Sequence, residues 1–224
     1  MARLRTQIDE HKQDIPTMRH VPRFAPGGQS TQMIVGADTA DDNAIIATSA
    51  NLYGSYRLRR VYYSAFSPIP DASRALPISA PPLIREHRLY QADWLMRFYG
   101  FAAEEIVTRR DGMLDLDIDP KLAWALQHRE CFPVDVNRAP REILLRVPGL
   151  GHKAVARILN ARRVRAIHAD DLARLRVPLK KVLPFIVVPG HRNDSMLDSS
   201  ALAEHLRIKP IQLSLFDSLA PAGI

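Results

Sequence analysis

Between Asn137 and Arg163 the chain reads NRAPREILLRVPGLGHKAVARILNARR. Few folds accommodate that run. A proline followed by two glycines, Val147-Pro148-Gly149-Leu150-Gly151, demands a tight turn. On either side Ile143, Leu144, Ala154, Val155, Ile158 and Leu159 recur at helical spacing, so two short helices are predicted to pack across it, Arg141–Arg146 and Lys153–Arg163. The turn feeds directly into the second helix. Its free N–H groups and the positive end of its dipole then face outward together, which suits an anion and above all a phosphate. Lys153 and Arg157 stand one turn apart on the same face. A plain helical hairpin with a glycine cap and no ligand is the alternative. That arrangement needs one glycine, and this turn has two.

Charge is gathered around the same segment. From Val134 to Arg192 there are thirteen Lys or Arg against four acids, a local surplus of nine in a chain whose net charge is +7. The remainder is therefore near −2, and a basic block beside a near-neutral one is the footprint of a nucleic-acid module. A solvated basic surface is the plainer alternative. The single cysteine, Cys131, excludes a disulfide framework and any Cys-ligated zinc or iron–sulfur site within one chain. The first residues, MARLRTQIDEHKQD, contain no apolar signal core, and no apolar run reaches membrane-span length. A cytoplasmic, nucleoid-associated protein with no membrane partner is expected.

Over its 27 residues the segment resembles the helix-hairpin-helix motif of DNA repair and recombination proteins. The resemblance implies double-stranded DNA as partner, with Gly149, Leu150, Gly151, His152, Lys153 and Arg157 at the backbone. A second pair, Asp170–Leu175 and Leu179–Val187, keeps the apolar pattern, but its turn Arg176-Val177-Pro178-Leu179 lacks glycine. It reads as a degenerate hairpin bracing the first, with Lys180 and Lys181 near phosphates. Lys153 followed eighteen residues later by Asp171 also resembles helix-hairpin-helix glycosylases with lyase activity. There a lysine attacks the sugar and an aspartate assists. Asp171 at a helix start has an ordinary explanation as well.

Upstream the periodicity changes. Residues 2–14 read as a helix, Thr31–Ala37 as a strand, Asn43–Tyr56 as a helix and Arg60–Ala65 as a strand, the order of an α/β crossover with parallel strands. The proline-rich Ser67–Pro82 is a connection. Leu83–Tyr99 reads as a long helix with Leu89, Trp94, Leu95 and Phe98 on its apolar face, stopped by Gly100. Asp119-Pro120 reads as an N-cap and first helical residue. In LDLDIDP, the alternating Asp115, Asp117 and Asp119 suit either a divalent metal on a strand face or a solvated edge ending in that cap. The histidines include no close pair at ligand spacing, so no metal site is expected from them.

RFAPGGQSTQMIVGA (Arg23–Ala37), RRVYYSAF (Arg59–Phe66), PPLIREHRLYQADWLMRFYGF (Pro81–Phe101) and FPVDVNRAPREILLRVPGLG (Phe132–Gly151) resemble the C-terminal half of radical SAM DNA modification or repair proteins. The resemblance, over roughly residues 1–190, implies an α/β fragment of a partial (β/α) barrel over 1–131 and an all-α helix-hairpin-helix module over 132–190; beyond Pro189 periodicity weakens and the polar stretch 191–224 reads as a flexible tail. The resemblance also implies that Gln29, Ser30, Thr31 and Gln32 lie nearest S-adenosylmethionine or substrate. The family's three cluster cysteines are absent. This chain alone is thus expected to carry no cofactor and to hold no [4Fe–4S] cluster. S-adenosylmethionine and the cluster would enter only through a partner chain, an N-terminal radical SAM half, the present chain being one half of a split enzyme or a truncated product. Near the C-terminus Gln212-Leu213-Ser214-Leu215-Phe216 resembles the pentapeptide by which replication and repair proteins bind the bacterial sliding clamp. Leu215 and Phe216 would be its apolar anchors, and the Gln212 amide its hydrogen-bonding group.

Overall fold

The computed structural model describes residues 1–14, 24–71, 73–191 and 202–206. It is a mixed structure, mostly helical with four short strands among the described residues, and these strands form no closed barrel. After the N-terminal helix α1 (Ala2–Asp14), strands β1 (Ser30–Val35) and β2 (Arg60–Ala65) pair in parallel, from Ser30 opposite Arg60 to Val35 opposite Ala65. The crossover between them is helix α2 (Asp42–Tyr56), as the helical and alternating periodicities predict. Asp41 caps it by accepting from the Ala44 amide at 2.7 Å. Helix α3 (Leu83–Phe98) follows, and Gly100 at φ +72° turns the chain away from it.

The two edges of this small sheet are treated differently. On the outer edge of β2, the Val61 amide donates to Tyr53 Oη, and Tyr90 Oη bonds both the amide and the carbonyl of Tyr63. The Ala65 amide donates to Glu86 at 2.9 Å. Side chains from α2 and α3 therefore occupy the groups a further strand would need. The outer edge of β1 has no strand partner among the described residues. One sheet face, with Val35, Val61 and Tyr63, is buried. The other leaves Gln32, Ile34 and Tyr62 exposed, whereas parallel sheets are ordinarily covered on both faces.

In α3 the inward residues are Leu89, Ala92 and Leu95, with Arg85, Arg88 and Asp93 also buried. Trp94 and Phe98 are 53% and 46% exposed, contrary to the apolar face predicted for them. Large aromatic residues suggest a core, but the three-to-four-residue spacing through Leu89, Ala92 and Leu95 sets which side the helix buries, and both rings fall off it. Arg85 and Asp93 have ion-pair partners, and Arg88 donates to the Leu116 carbonyl and Gln91. Arg85 Nε meets the fully buried Asp42 at 2.7 Å, and the other Asp42 oxygen accepts from the Leu114 amide at 2.9 Å.

Helices α4 (Ala103–Ile106) and α5 (Pro120–Gln127) come next, α5 capped by Asp119 with Pro120 in its first turn. Strand β3 (Val134–Asp135) precedes four short helices: α6 (Arg141–Arg146), α7 (His152–Ala161), α8 (Ala169–Arg174) and α9 (Leu179–Val182). The second helix of the second pair, expected to reach Val187, stops at Val182. Pro184 has no amide to continue it, and the β-branched run Ile186-Val187-Val188 favours extended backbone. Ile186–Val187 instead forms strand β4, parallel to β3, so this part of the chain is not all-helical. Helix α10 (Leu202–Leu206) is the last described element. The parts on either side of residue 131 share one core. Phe132 packs against both Trp124 and Phe185, and Arg146 holds Glu105 with two bonds of 2.8 and 2.9 Å. Among the described residues no helix is long and apolar enough to cross a membrane.

Candidate nucleic-acid interface

The turn between α6 and α7 is built by its two glycines in different ways. The Leu150 amide returns to the Val147 carbonyl at 3.1 Å. Gly149 sits at φ +84°, and a β-carbon there would lie 2.9 Å from Val182 Cγ2 and 3.1 Å from Lys181 Cβ. Conformation and packing both require glycine. Gly151 is extended at φ −103°, and a β-carbon would meet only the Tyr99 hydroxyl, at 3.4 Å. Its lack of a side chain is therefore not needed for folding. As the residue before α7 it supplies no side-chain cap, so the first-turn amides of α7 have no side-chain acceptor. Leu144, Leu145, Ala154, Val155 and Ile158 bury the interface between the helices, while the predicted Ile143 is 41% exposed and Leu145 takes its place.

The predicted contact residues divide by placement. Gly149, Lys153 and Arg157 are exposed, and Leu150 is buried so that only its backbone faces the turn. His152 is half-buried, with its ring against Tyr99 and its Nδ1 3.0 Å from Arg141 Nη2. The second pair is seated on the first: Pro178, Lys181 and Val182 all border the Gly149 position. Its turn does without glycine by placing Arg176 in the left-handed region at φ +56°.

Not all of the basic surplus is available to a ligand. Arg146 is spent on Glu105 and the Gly100 carbonyl, and Arg162 donates to the Val136 and Ala139 carbonyls. Among the described residues Lys153, Arg157, Arg176, Lys180 and Lys181 make no ion pair, and all lie on α7 or at the second turn. Asp171 is committed elsewhere. Hydrogen bonds from Arg165 hold its carboxyl below the usual range, and it caps α8 by accepting from the His168 amide at 3.0 Å. Nothing in these contacts pairs it with Lys153.

A scan against family models finds no match, and comparison with curated proteins and with solved structures finds none either.

The other predicted residues are scattered. Gln29 donates to the Tyr56 carbonyl at 2.8 Å, and Gln32 to Ser64 at 2.6 Å, while Ser30 and Thr31 open β1. These four line the start of the uncovered sheet, away from the hairpin turn in sequence and in contacts. Asp115 accepts from the Asp117 and Ile118 amides and Asp119 from Leu122, so LDLDIDP is a capped turn instead of a strand. Gln212, Leu213, Ser214, Leu215 and Phe216 lie outside the described residues.

One group at the turn escaped the sequence reading. Lys121, in the first turn of α5, is only 7% exposed and donates to the Leu150 carbonyl at 2.6 Å, with Tyr99 4.8 Å away. No local pattern marks it, because the elements that bury it come from elsewhere in the chain. Burial pushes its ammonium from 10.5 down to about 7, against the opposing pull of Asp119. In the unfolded chain the same amine stays protonated to about pH 10. Between those values the unfolded state binds the extra proton, so stability rises with pH. From pH 7 to pH 9 the natural chain is expected to gain about 2 kcal/mol relative to Lys121→Met. Urea midpoints of the two proteins at both pH values measure this, and a difference that stays flat would show the amine to be solvated.

Proposed function

We propose that this chain binds the phosphate backbone of double-stranded DNA through the turn Gly149–Gly151 and the start of α7, as a helix-hairpin-helix does. The observation that carries the reading is an uncapped helix N-terminus with Lys153 and Arg157 exposed beside it and a second basic turn packed on Gly149. Amides fixed in place and flanked by cations bind phosphates without reading bases, so binding is sequence-independent. The α/β part is proposed as a fragment of a (β/α) barrel of the radical SAM DNA modification type. The edge of β1, which has no strand partner among the described residues, and the exposed sheet face with Gln32, Ile34 and Tyr62 support that reading. A [4Fe–4S] cluster does not fit this chain. Cys131 is its one thiol and is exposed, and no radical step is assigned to these residues.

The test is fluorescence anisotropy of a short labelled duplex. Gly151→Val suits it because the extended backbone at this position accepts a side chain, whereas the same change at Gly149 would break the turn. Gly151→Val is expected to weaken binding about tenfold or more by keeping phosphate from the α7 amides, and Lys153→Ala by a few-fold, equally for unrelated sequences. Unchanged affinity in a Gly151→Val protein with native circular dichroism would refute the hairpin as the DNA contact.

A further inference from the structure

Beside the hairpin turn lies a cleft of about 560 Å³. One wall is α3, another is the start of α5, and a third is the backbone of Gly149-Leu150-Gly151. Its volume is in the range of about 300–1,000 Å³ common to small-ligand sites. Three rings line it, Tyr90 and Trp94 on α3 and Tyr99 just past its end. Tyr90 is held rigidly by its two bonds to Tyr63, while the Trp94 indole is more than half exposed. The charged lining is of both signs: Arg88, Lys121 and Lys181 against Asp117 and Asp119. A phosphate inside would meet carboxylates, and a hydrocarbon would cover Asp117, Asp119 and Lys181 for no hydrogen bond. A flat ring with donors and acceptors around its rim satisfies both the aromatic wall and the mixed polar one.

We propose that this cleft receives one unstacked base of a DNA strand whose backbone is held at the hairpin turn. The inference rests on the backbone-binding reading and names what that site would act on. The connection is structural. The turn that presents Gly149 to solvent is itself a wall of the cleft, and Lys121 ties the two by its bond to the Leu150 carbonyl. A base leaving the duplex loses its stacking and pairing, least when it is already unpaired. The exposed Trp94 indole restores stacking whatever the base, so the expected preference is for a bulged or mismatched nucleotide without regard to its identity.

The experiment compares a fully paired duplex with one of the same length carrying a single bulged base. The natural chain is expected to bind the bulged duplex about tenfold more tightly or better. Trp94→Ala should abolish that preference while the paired duplex is still bound, and Trp94→Phe, which keeps a ring, should retain most of it. Because Trp94 is largely exposed, its loss does not open the core. Equal binding of the two duplexes, or a preference that survives Trp94→Ala, overturns the cleft alone and leaves backbone binding standing. Failure to bind either duplex overturns the backbone reading and the cleft with it.

Discussion

Affinity for a short duplex is expected to fall roughly 500-fold as monovalent salt rises from about 50 to 200 mM, a log–log slope near −4.5. The slope follows from the unpaired cations nearest the two turns, Arg141 and Arg163 being exposed without an ion pair among the described residues as well but not counted among the contacts. Lys153, Arg157, Arg176, Lys180 and Lys181 make no ion pair among the described residues and gather at α7 and the two turns. Neutralising about five phosphates releases their counterions at about 0.9 per contact. Changing Lys153 and Arg157 together to Ala should make the slope shallower by about 2, because each removes one phosphate contact. Arg146 and Arg162 belong to the same basic segment but are internally bonded, so their replacement should act on stability and leave the slope alone. A slope no steeper than about −2, or one untouched by the double change, would mean that DNA is held elsewhere.

Arg85→Met is expected to cost about 3–5 kcal/mol, a large part of the roughly 5–15 kcal/mol available to a typical domain. Asp42 is fully buried and depends on Arg85 for its counter-charge. Methionine fills the space of the aliphatic stem but strands the carboxylate in a medium that cannot solvate it. Asp42→Asn combined with Arg85→Met should recover much of the loss, since the amide oxygen can still accept from Leu114. The pair also bears on the cleft. Together with the bond from the Asn43 amide to the Gly112 carbonyl, it ties the segment leading into Asp117, Asp119 and α5 to the start of α2. Chemical denaturation of the three proteins supplies the numbers. A single-variant loss below about 1 kcal/mol would show that Asp42 does not depend on Arg85 for its counter-charge.

Strand β2 at Arg60–Ala65 and helix α6 at Arg141–Arg146 coincide with the predicted bounds, and the α5 cap falls on Asp119-Pro120 as expected. Such features are set by residues a few places apart: alternation within a strand, three-to-four spacing within a helix, a side-chain oxygen reaching an amide two or three residues on. The turn at Gly149 was legible for the same reason. The sequence by itself thus determined the longer elements, their order and the position of the basic hairpin, but not α4, α10 or the short strands β3 and β4.

Partners across the fold were not legible. Nothing around Lys121 announces a buried amine, and nothing around Trp94 announces an exposed indole. Burial depends on what other segments bring to the same place: the hairpin turn to Lys121, and no described helix to the outer side of α3. The seating of Pro178, Lys181 and Val182 on Gly149 and the pairing of β3 with β4 are decided in the same way. The tertiary structure alone decided which cations remain for a ligand, which glycine the fold requires and where a cleft opens. Each depends on contacts between residues far apart in the chain, and local periodicity carries no record of them.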